Sequence, residues 1–238
     1  MNEVQTDRPP FLYQSWKSLL FLHWQIDPAT IQTRLPQGLE IDTFQGKAYL
    51  GVVPFYMHAL RPRFGPPCPG ISYFPELNLR TYVRDATGRK GVWFFSLDAH
   101  SKLSVWIART FFSLPYRYAT MSYSIDQDQT TQMRSQRQGE ALQTFSYRPT
   151  QRIGPARAGS LEAFLVERYR FYSASSKGQL FIGELTHAPY DLHQADVSQY
   201  SKTLFAINGF ATPDTPPCHI VYSPGVSVKA FAIRKLSS

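Results

Sequence analysis

The sequence has few cysteines and no long apolar segment. Its two cysteines, Cys68 and Cys218, each follow a Pro-Pro pair and lie far apart in the chain. No run of about 18 apolar residues is present, and residues 1–8 lack the apolar core of a signal peptide. These absences predict a cytoplasmic protein with free thiols and no membrane partner.

Acidic residues are also scarce, since 17 Asp and Glu face 25 Lys and Arg, for a net charge of +8. The basic residues are scattered: Arg134, Arg148 and Arg152 stand singly among polar neighbours, without a basic run or a nucleic-acid-binding module. We therefore expect no nucleic-acid partner. We interpret the positive charge as a surface property that keeps the protein soluble. A further role would be to attract anions to the mouth of a pocket.

Several motifs of known chemistry are missing. Gly65, Gly70 and Gly88 lack the spacing and the lysine of a phosphate-binding loop, and Gly-x-Ser-x-Gly does not occur. The six histidines match no helical or knuckle spacing of metal ligands, so we predict no metal and no cofactor. A Ser-His-Asp triad has no support beyond the presence of its residue types.

Aromatic residues and turn formers are abundant. The chain has 14 Tyr, 17 Phe, 18 Pro and 14 Gly, a composition typical of many short strands joined by turns. At 238 residues and 43% apolar content, one substantial core is expected. We predict an N-terminal tether over residues 1–14 and a single β-rich domain with a few short helices over residues 15–238.

Other local patterns predict individual elements. The strongest predictions are a strand over 15–24, a helix over 27–35, a hairpin over 40–56, a proline-rich loop over 60–69, a helix over 161–167, a hairpin over 169–186, an irregular connection over 187–202, and strands over 219–223 and 227–233.

The segment 107–118 predicts a change from helix to strand. Apolar residues recur at helical spacing up to Phe111, and Pro115 ends the helix. The strand expected over 116–124 places Tyr116 and Tyr118 on one face and Arg117 on the other, because side chains alternate along a strand. Either face could be the interior.

The segment 75–83 alternates cleanly. Glu76, Asn78, Arg80 and Tyr82 share one face, and the opposite face is mostly apolar. In a single-layer sheet the polar face would lie in water, whereas in a barrel it could line the lumen around a polar ligand. Glu76 and Arg80 are roughly 13 Å apart along such a strand, so each needs a partner from a neighbouring strand.

Together these segments resemble a known family. Ala-Arg-x-x-x-x-Leu-Pro-Tyr-Arg at 108–117, the strand at 74–83 and Gly-Val-Trp-Phe-Phe-Ser-Leu-Asp at 91–98 are similar to the uncharacterised YqjF-like family of the acetoacetate decarboxylase-like superfamily. The resemblance covers nearly the whole chain. It implies an antiparallel β-barrel with a few short helices packed outside, an internal pocket, and possible assembly into homo-oligomers.

The resemblance also predicts what the pocket lacks. Acetoacetate decarboxylases carry a motif whose first lysine forms a Schiff base, and by its Arg and Pro anchors that lysine falls on Tyr116 and its neighbour on Arg117. A phenol cannot form an imine and a guanidinium stays protonated, so the chain is not expected to be a Schiff-base decarboxylase. The related enzymes place a glutamate inside the pocket, which corresponds to Glu76.

Two functions remain open from the sequence. One is non-covalent binding of a small carboxylate or aromatic acid, held by Arg80, Arg109 or Arg117. Asn78 and Tyr118 would help to line this site. The other is an enzyme on the same barrel, with Glu76 as general acid or base and Tyr116 as proton donor, acting on a small oxo acid or aromatic acid without an imine.

Overall fold

The structure is a computed structural model that describes residues 8–236. Four short helices accompany fourteen strands in this part of the chain. The strands are β1 Leu12–Ile26, β2 Leu39–Ile41, β3 Ala48–Pro62, β4 Phe74–Asp85, β5 Lys90–Ala99, β6 Tyr116–Tyr118, β7 Thr120–Ile125, β8 Thr131–Gln136, β9 Gln143–Gly154, β10 Arg170–Ala174, β11 Leu180–His187, β12 Leu192–Gln199, β13 His219–Ala230 and β14 Arg234–Lys235. The helices are α1 Pro28–Gln32, α2 Lys102–Phe112, α3 Leu161–Val166 and α4 Thr203–Ile207.

Seven strands form a closed circuit of hydrogen-bonded neighbours. Their order is β11-β10-β5-β4-β3-β1-β13, and β13 pairs again with β11 through Leu185–Ala230, Thr186–Lys229 and His187–Val228. Side chains on the inner face of this circuit make one apolar core, which includes Phe21, Phe55, Phe74 and Leu97. The strand circuit therefore encloses its own interior.

A second group of strands covers the outside of the circuit. From β13 the sheet continues through β12, β9, β8 and β7. These strands supply Met121, Met133 and Phe145 to a second core. Leu77 and Leu79 of β4 belong to that outer core, which is why both faces of β4 are buried. The alternation at 75–83 thus separates two interiors rather than core from solvent.

Side-chain caps fix the helix starts. Asp27 accepts a hydrogen bond from the Ala29 amide, and Pro28 occupies the first turn of α1. Ser101 accepts from the Ser104 amide and begins α2, and Ser160 caps α3 in the same way. The longest helix, α2, has 11 residues. In residues 8–236 no helix has the length and apolar character needed to cross a bilayer.

Most predicted elements are confirmed, and the fold is β-rich with few helices. The helices near 28 and 161, the hairpin of β10 and β11, and the free state of both cysteines are as predicted. The sheet is not wholly antiparallel, because β5 pairs in parallel with both β10 and β6.

Other predictions differ from the structure. Residues 40–56 do not form a hairpin, since β2 pairs with β4. The supposedly irregular segment 187–202 contains β12, and one strand, β13, replaces the two predicted near the end. Leu12 to Gln14, predicted as part of the tether, lie in β1 and pair with β13. The rest of the tether lies partly outside the described residues.

Candidate functional site

Strand β4 directs three predicted site residues into the strand circuit. Glu76, Asn78 and Arg80 are all buried, and they share the inner face with Tyr82. Pairing with β3 on one side and β5 on the other holds this strand in the wall. Of the two interpretations of the polar face, the exposed one is wrong.

The turn between α2 and β6 places Tyr116 next to Glu76. Ser113 ends the helix in the left-handed region, with φ of 50°, and Pro115 then prevents the helix from resuming. Strand β6 follows at once and pairs in parallel with β5, which sets Tyr116 opposite Leu97. From there the Tyr116 hydroxyl donates a 2.7 Å hydrogen bond to Oε2 of Glu76. Tyr116 is thus the partner that Glu76 requires.

The surroundings favour the protonated form of Glu76. Burial raises the pKa of this carboxyl group to about 7, although the hydrogen bonds from Tyr116 and Asn78 lower it in part and the charge of Asp98 raises it. Burial and the neighbouring Glu76 charge raise the pKa of the Tyr116 phenol well above its usual value. Near neutral pH, Tyr116 therefore remains a hydrogen-bond donor while Glu76 exchanges between its two forms.

A cavity of about 150 Å³ lies against this pair. Its polar lining comes from Gln14, Glu76, Ser104 and Tyr116, and none of the described residues that line it is a lysine or an arginine. Apart from the indole N–H of Trp16, which has no hydrogen-bond partner among the described residues, the remaining lining is apolar. It comes from Leu12, Trp16, Phe55, Met57, Leu60, Ile71, Phe74, Phe94, Leu97, Ile107, Ala108, Phe112, Leu114, Phe171, Leu185 and Ala230. One ionisable acid thus stands in an apolar chamber.

Asn78 and Arg80 are buried but do not line this cavity. Among residues 8–236, no group donates a hydrogen bond to the Oδ1 atom of Asn78. Arg80 donates from Nη2 to the Leu165 carbonyl oxygen at 3.1 Å, and its guanidinium lies 5.3 Å from the Phe21 ring centroid. These contacts hold Arg80 in the core away from the cavity.

The other predicted ligand-binding residues lie on the outer surface. Arg109, Arg117 and Tyr118 are exposed, and none of them lines the cavity. Arg109 and Arg117 border one surface depression beside Pro115, and Arg109 and Tyr118 border another beside Trp106. The structure therefore brings Glu76 and Tyr116 together and leaves the two arginines outside.

Sequence reasoning missed a buried histidine pair beyond Arg80. The Tyr82 hydroxyl donates to the Leu165 carbonyl oxygen, so it must accept from Nε2 of His23 at 2.6 Å. His23 Nδ1 is then an acceptor, and His219 Nδ1 donates to it at 3.0 Å. Burial lowers the pKa of His23 well below its usual value and that of His219 to about 4. Because the two residues are 196 positions apart, no local pattern could reveal the pair.

The arrangement of strands is similar to that of solved enzymes. The enduracididine biosynthesis enzyme MppR, complexed with pyruvate, matches with a TM-score of 0.67 and 12% identity, over 98% of this chain and 93% of that chain. An acetoacetate decarboxylase-like enzyme from Sphingomonas wittichii RW1 matches with a TM-score of 0.66 and 15% identity, over 97% and 95%. At these identities the likeness shows the fold alone, and that fold is acetoacetate decarboxylase-like.

Sequence comparison gives the narrower group. The chain belongs to the DUF2071 family, described as an uncharacterized conserved protein, whose model matches residues 13–227. It is 37% identical over 226 residues to the uncharacterized protein YqjF of Bacillus subtilis (strain 168), covering 94% of this chain and 92% of YqjF. The predicted resemblance to the YqjF-like family is confirmed.

Proposed function

We propose that this protein binds a small, mostly apolar carboxylic acid, without a covalent bond, in the cavity beside Glu76. The observation that carries the proposal is the Glu76–Tyr116 pair, an ionisable hydrogen-bonded pair set in an apolar lining. A site of this kind binds a ligand whose body is apolar and fixes the position of the ligand's one polar group. The closed strand circuit would act as a barrel around the ligand.

The size of the cavity limits the ligand. An apolar cavity of about 150 Å³ is large enough to hold benzene in another protein, and the volume here is about the same. One aromatic ring or a short acyl chain therefore fits beside the carboxyl group. The pyruvate held by the fold relative MppR is in this size range and supports an acid as the polar group.

The lining also sets the protonation state of the bound acid. No cation lines the cavity among the described residues, so the arginine contact expected for an anionic ligand is replaced by contact with Glu76. Two ionised carboxylates at hydrogen-bond distance repel each other strongly, and one proton is therefore shared between them. The ligand enters from solution as an anion and pairs with protonated Glu76.

An imine plays no part in this proposal. The motif resemblance predicts that Tyr116 stands where acetoacetate decarboxylases carry the reactive lysine, and the raised pKa of Tyr116 keeps its phenol protonated. Lys102, the nearest lysine upstream, is exposed on α2 and does not line the cavity. A cytoplasmic location and homo-oligomer formation stay predictions.

Calorimetric titration of the full chain with benzoate, phenylacetate and pyruvate between pH 6 and 9 tests the proposal. We expect the association constant of a binding acid to fall about tenfold per pH unit above the pKa of Glu76, because only the protonated form binds. In Glu76→Gln the amide remains neutral and can donate to the carboxylate. Its affinity should therefore not change over this pH range.

Tyr116→Phe provides the matched control. It removes the hydrogen bond that lowers the pKa of Glu76, so the pH midpoint of binding should move upward while binding persists. Failure of all three acids to bind, or a wild-type affinity that is independent of pH, would contradict the proposal.

A second function is supported by the pKa of Glu76. A carboxyl group that titrates at about 7 is suited to general acid–base catalysis near neutral pH. In this alternative Glu76 removes a proton next to the carbonyl of a small oxo acid, and the Tyr116 hydroxyl donates to the developing enolate. Exchange of the pyruvate methyl protons in D₂O, followed by NMR, distinguishes the functions: catalysed exchange lost in Glu76→Gln indicates the enzyme, and binding without exchange indicates the binding protein.

A further inference from the structure

We propose that α2, the loop between β3 and β4, and Phe11 form a surface that docks onto an anionic lipid bilayer. These three segments are called the cap below. The proposal does not depend on the ligand of the cavity, although the inner side of the cap contributes Ile71, Ile107 and Phe112 to the cavity wall.

The three segments are in contact. Ser101, the N-cap of α2, and Ser104, in its first turn, donate hydrogen bonds to the carbonyl oxygens of Gly70 and Ile71 in the loop. At the other end of the helix, the rings of Phe112 and Phe11 lie 6.0 Å apart. The Arg63 amide also bonds to the Phe11 carbonyl oxygen. The cap is therefore one continuous surface.

Large apolar side chains project outward from this surface. Phe64 in the loop is 89% exposed and Trp106 of α2 is 58% exposed, and Phe11, Leu103 and Phe111 are exposed as well. Exposed apolar side chains scattered singly are ordinary, but a cluster on contiguous segments marks an interaction site. Aromatic side chains of this kind partition into the interface between headgroups and acyl chains.

The charge of the cap has one sign. No Asp or Glu occurs between Asp42 and Glu76, or between Asp98 and Asp126, which are the stretches that supply the loop and α2. Lys102 and Arg109 are exposed beside Trp106, and Arg63 lies 4.8 Å from the Phe64 ring centroid. Cations around apolar anchors are the pattern of proteins that bind anionic lipid surfaces.

Charge also decides between the possible occupants. A second copy packed symmetrically through this face would bring Lys102 and Arg109 against the same residues of its partner, and like charges repel. A nucleic acid would pair with the cations but offer little to protruding side chains such as Leu103 and Phe64. An anionic bilayer accommodates both the charge and the apolar side chains, and in this respect the proposal departs from the expectation of no membrane partner.

Flotation of the full chain with vesicles tests the proposal. We expect binding to phosphatidylcholine vesicles that contain about one third phosphatidylglycerol, little binding to pure phosphatidylcholine, and release at high salt. Arg109→Gln should weaken binding about fivefold, since one cation near the surface is removed. Trp106→Ala and Phe64→Ser should each weaken it about tenfold.

Matched substitutions outside the cap serve as controls. Arg134→Gln removes the same charge from an exposed position on β8, and Ile153→Ser removes an exposed apolar side chain from β9. Both should bind vesicles as the wild type does. Three results would overturn the proposal: no binding to anionic vesicles, equal losses in the controls, or a dimer in solution that Trp106→Ala dissociates, which would assign the face to a second copy.

Discussion

Glu76 is a titrating group in an apolar interior, so its ionisation alters the stability of the fold. Its pKa is about 7 in the folded protein and near 4.5 when exposed. The folded state therefore holds the proton more tightly than the unfolded chain. Stability from this group is complete below about pH 4.5 and is lost as the pH rises through 7, in total by about 3 kcal/mol.

Glu76→Gln should remove this loss. We expect the variant and the wild type to melt at similar temperatures at pH 5, and the variant to melt several degrees higher at pH 8, because about 1 kcal/mol shifts the melting temperature by roughly 2–4 °C at this chain length. Calorimetry at both pH values measures the difference. Glu140→Gln, at an exposed carboxylate, should show no such gain, and a variant less stable than the wild type at pH 8 would contradict the expectation.

The same residues show how far the site could be predicted. Alternation along β4 and the family resemblance identify Glu76, and the motif identifies Tyr116. Alternation also requires Arg117 to point away from the side that Tyr116 takes, so the two could not share one cavity. Tyr118 has the parity of Tyr116, but β6 ends there and the strand is interrupted at Ala119. Alternation thus separates Arg117 from Tyr116, whereas only the three-dimensional path of the chain separates Tyr118 from Tyr116.

The junction between α2 and β6 depends on one strained residue. Ser113 adopts a left-handed conformation that glycine tolerates at lower cost. Ser113→Gly should therefore stabilise the protein by about 0.5–1 kcal/mol, measured by urea denaturation. Ser113→Ala keeps the side-chain constraint and should give no such gain. Equal effects of the two substitutions would show that the backbone conformation is not the cause.

At the scale of elements, local signals predict helix starts better than strand partners. The helix N-caps Ser101, Ser160 and Asp27 reveal the starts of α2, α3 and α1, because an N-cap side chain acts on amides within a few residues. The partner of β2 is β4 rather than its neighbour β3, and β12 pairs with β9 through three irregularities in register. Strand β13 also passes Pro224 and Gly225 without a turn. There a Cβ atom on Gly225 would lie 2.2 Å from the Trp16 carbonyl oxygen.

For the whole molecule, buried groups respond to pH in opposite directions, and His219 and Glu76 illustrate the two cases. His219, with its pKa lowered to about 4, contributes stability above its usual value of 6.5 that is lost as the pH falls through 4. The stability that protonated Glu76 contributes to the fold is lost in the opposite direction, as the pH rises from about 4.5 to about 7. Their contributions partly cancel in the wild type between about pH 4.5 and 6.5.

Single variants should reveal each contribution. In His219→Asn the amide can replace Nδ1 as donor to His23, while the titrating group is gone. The stability of this variant relative to the wild type should rise as the pH falls from 6.5 to 4, and that of Glu76→Gln should rise as the pH increases from 4.5 to 7. Urea denaturation across this range measures both. Parallel pH profiles for the variants and the wild type would contradict the assignments.

The pairing of β1 with β13 has a consequence for biosynthesis. These strands are hydrogen-bonded neighbours, yet His23 and His219 are 196 residues apart. The interior around Glu76 cannot close until β13 has emerged from the ribosome, since β13 also joins β11. During translation β1 therefore has an edge whose backbone N–H and C=O groups are unpaired. Chaperones or other unfolded chains can bind to such an edge. The chamber therefore forms only after β13 has been synthesised and has paired with both β1 and β11.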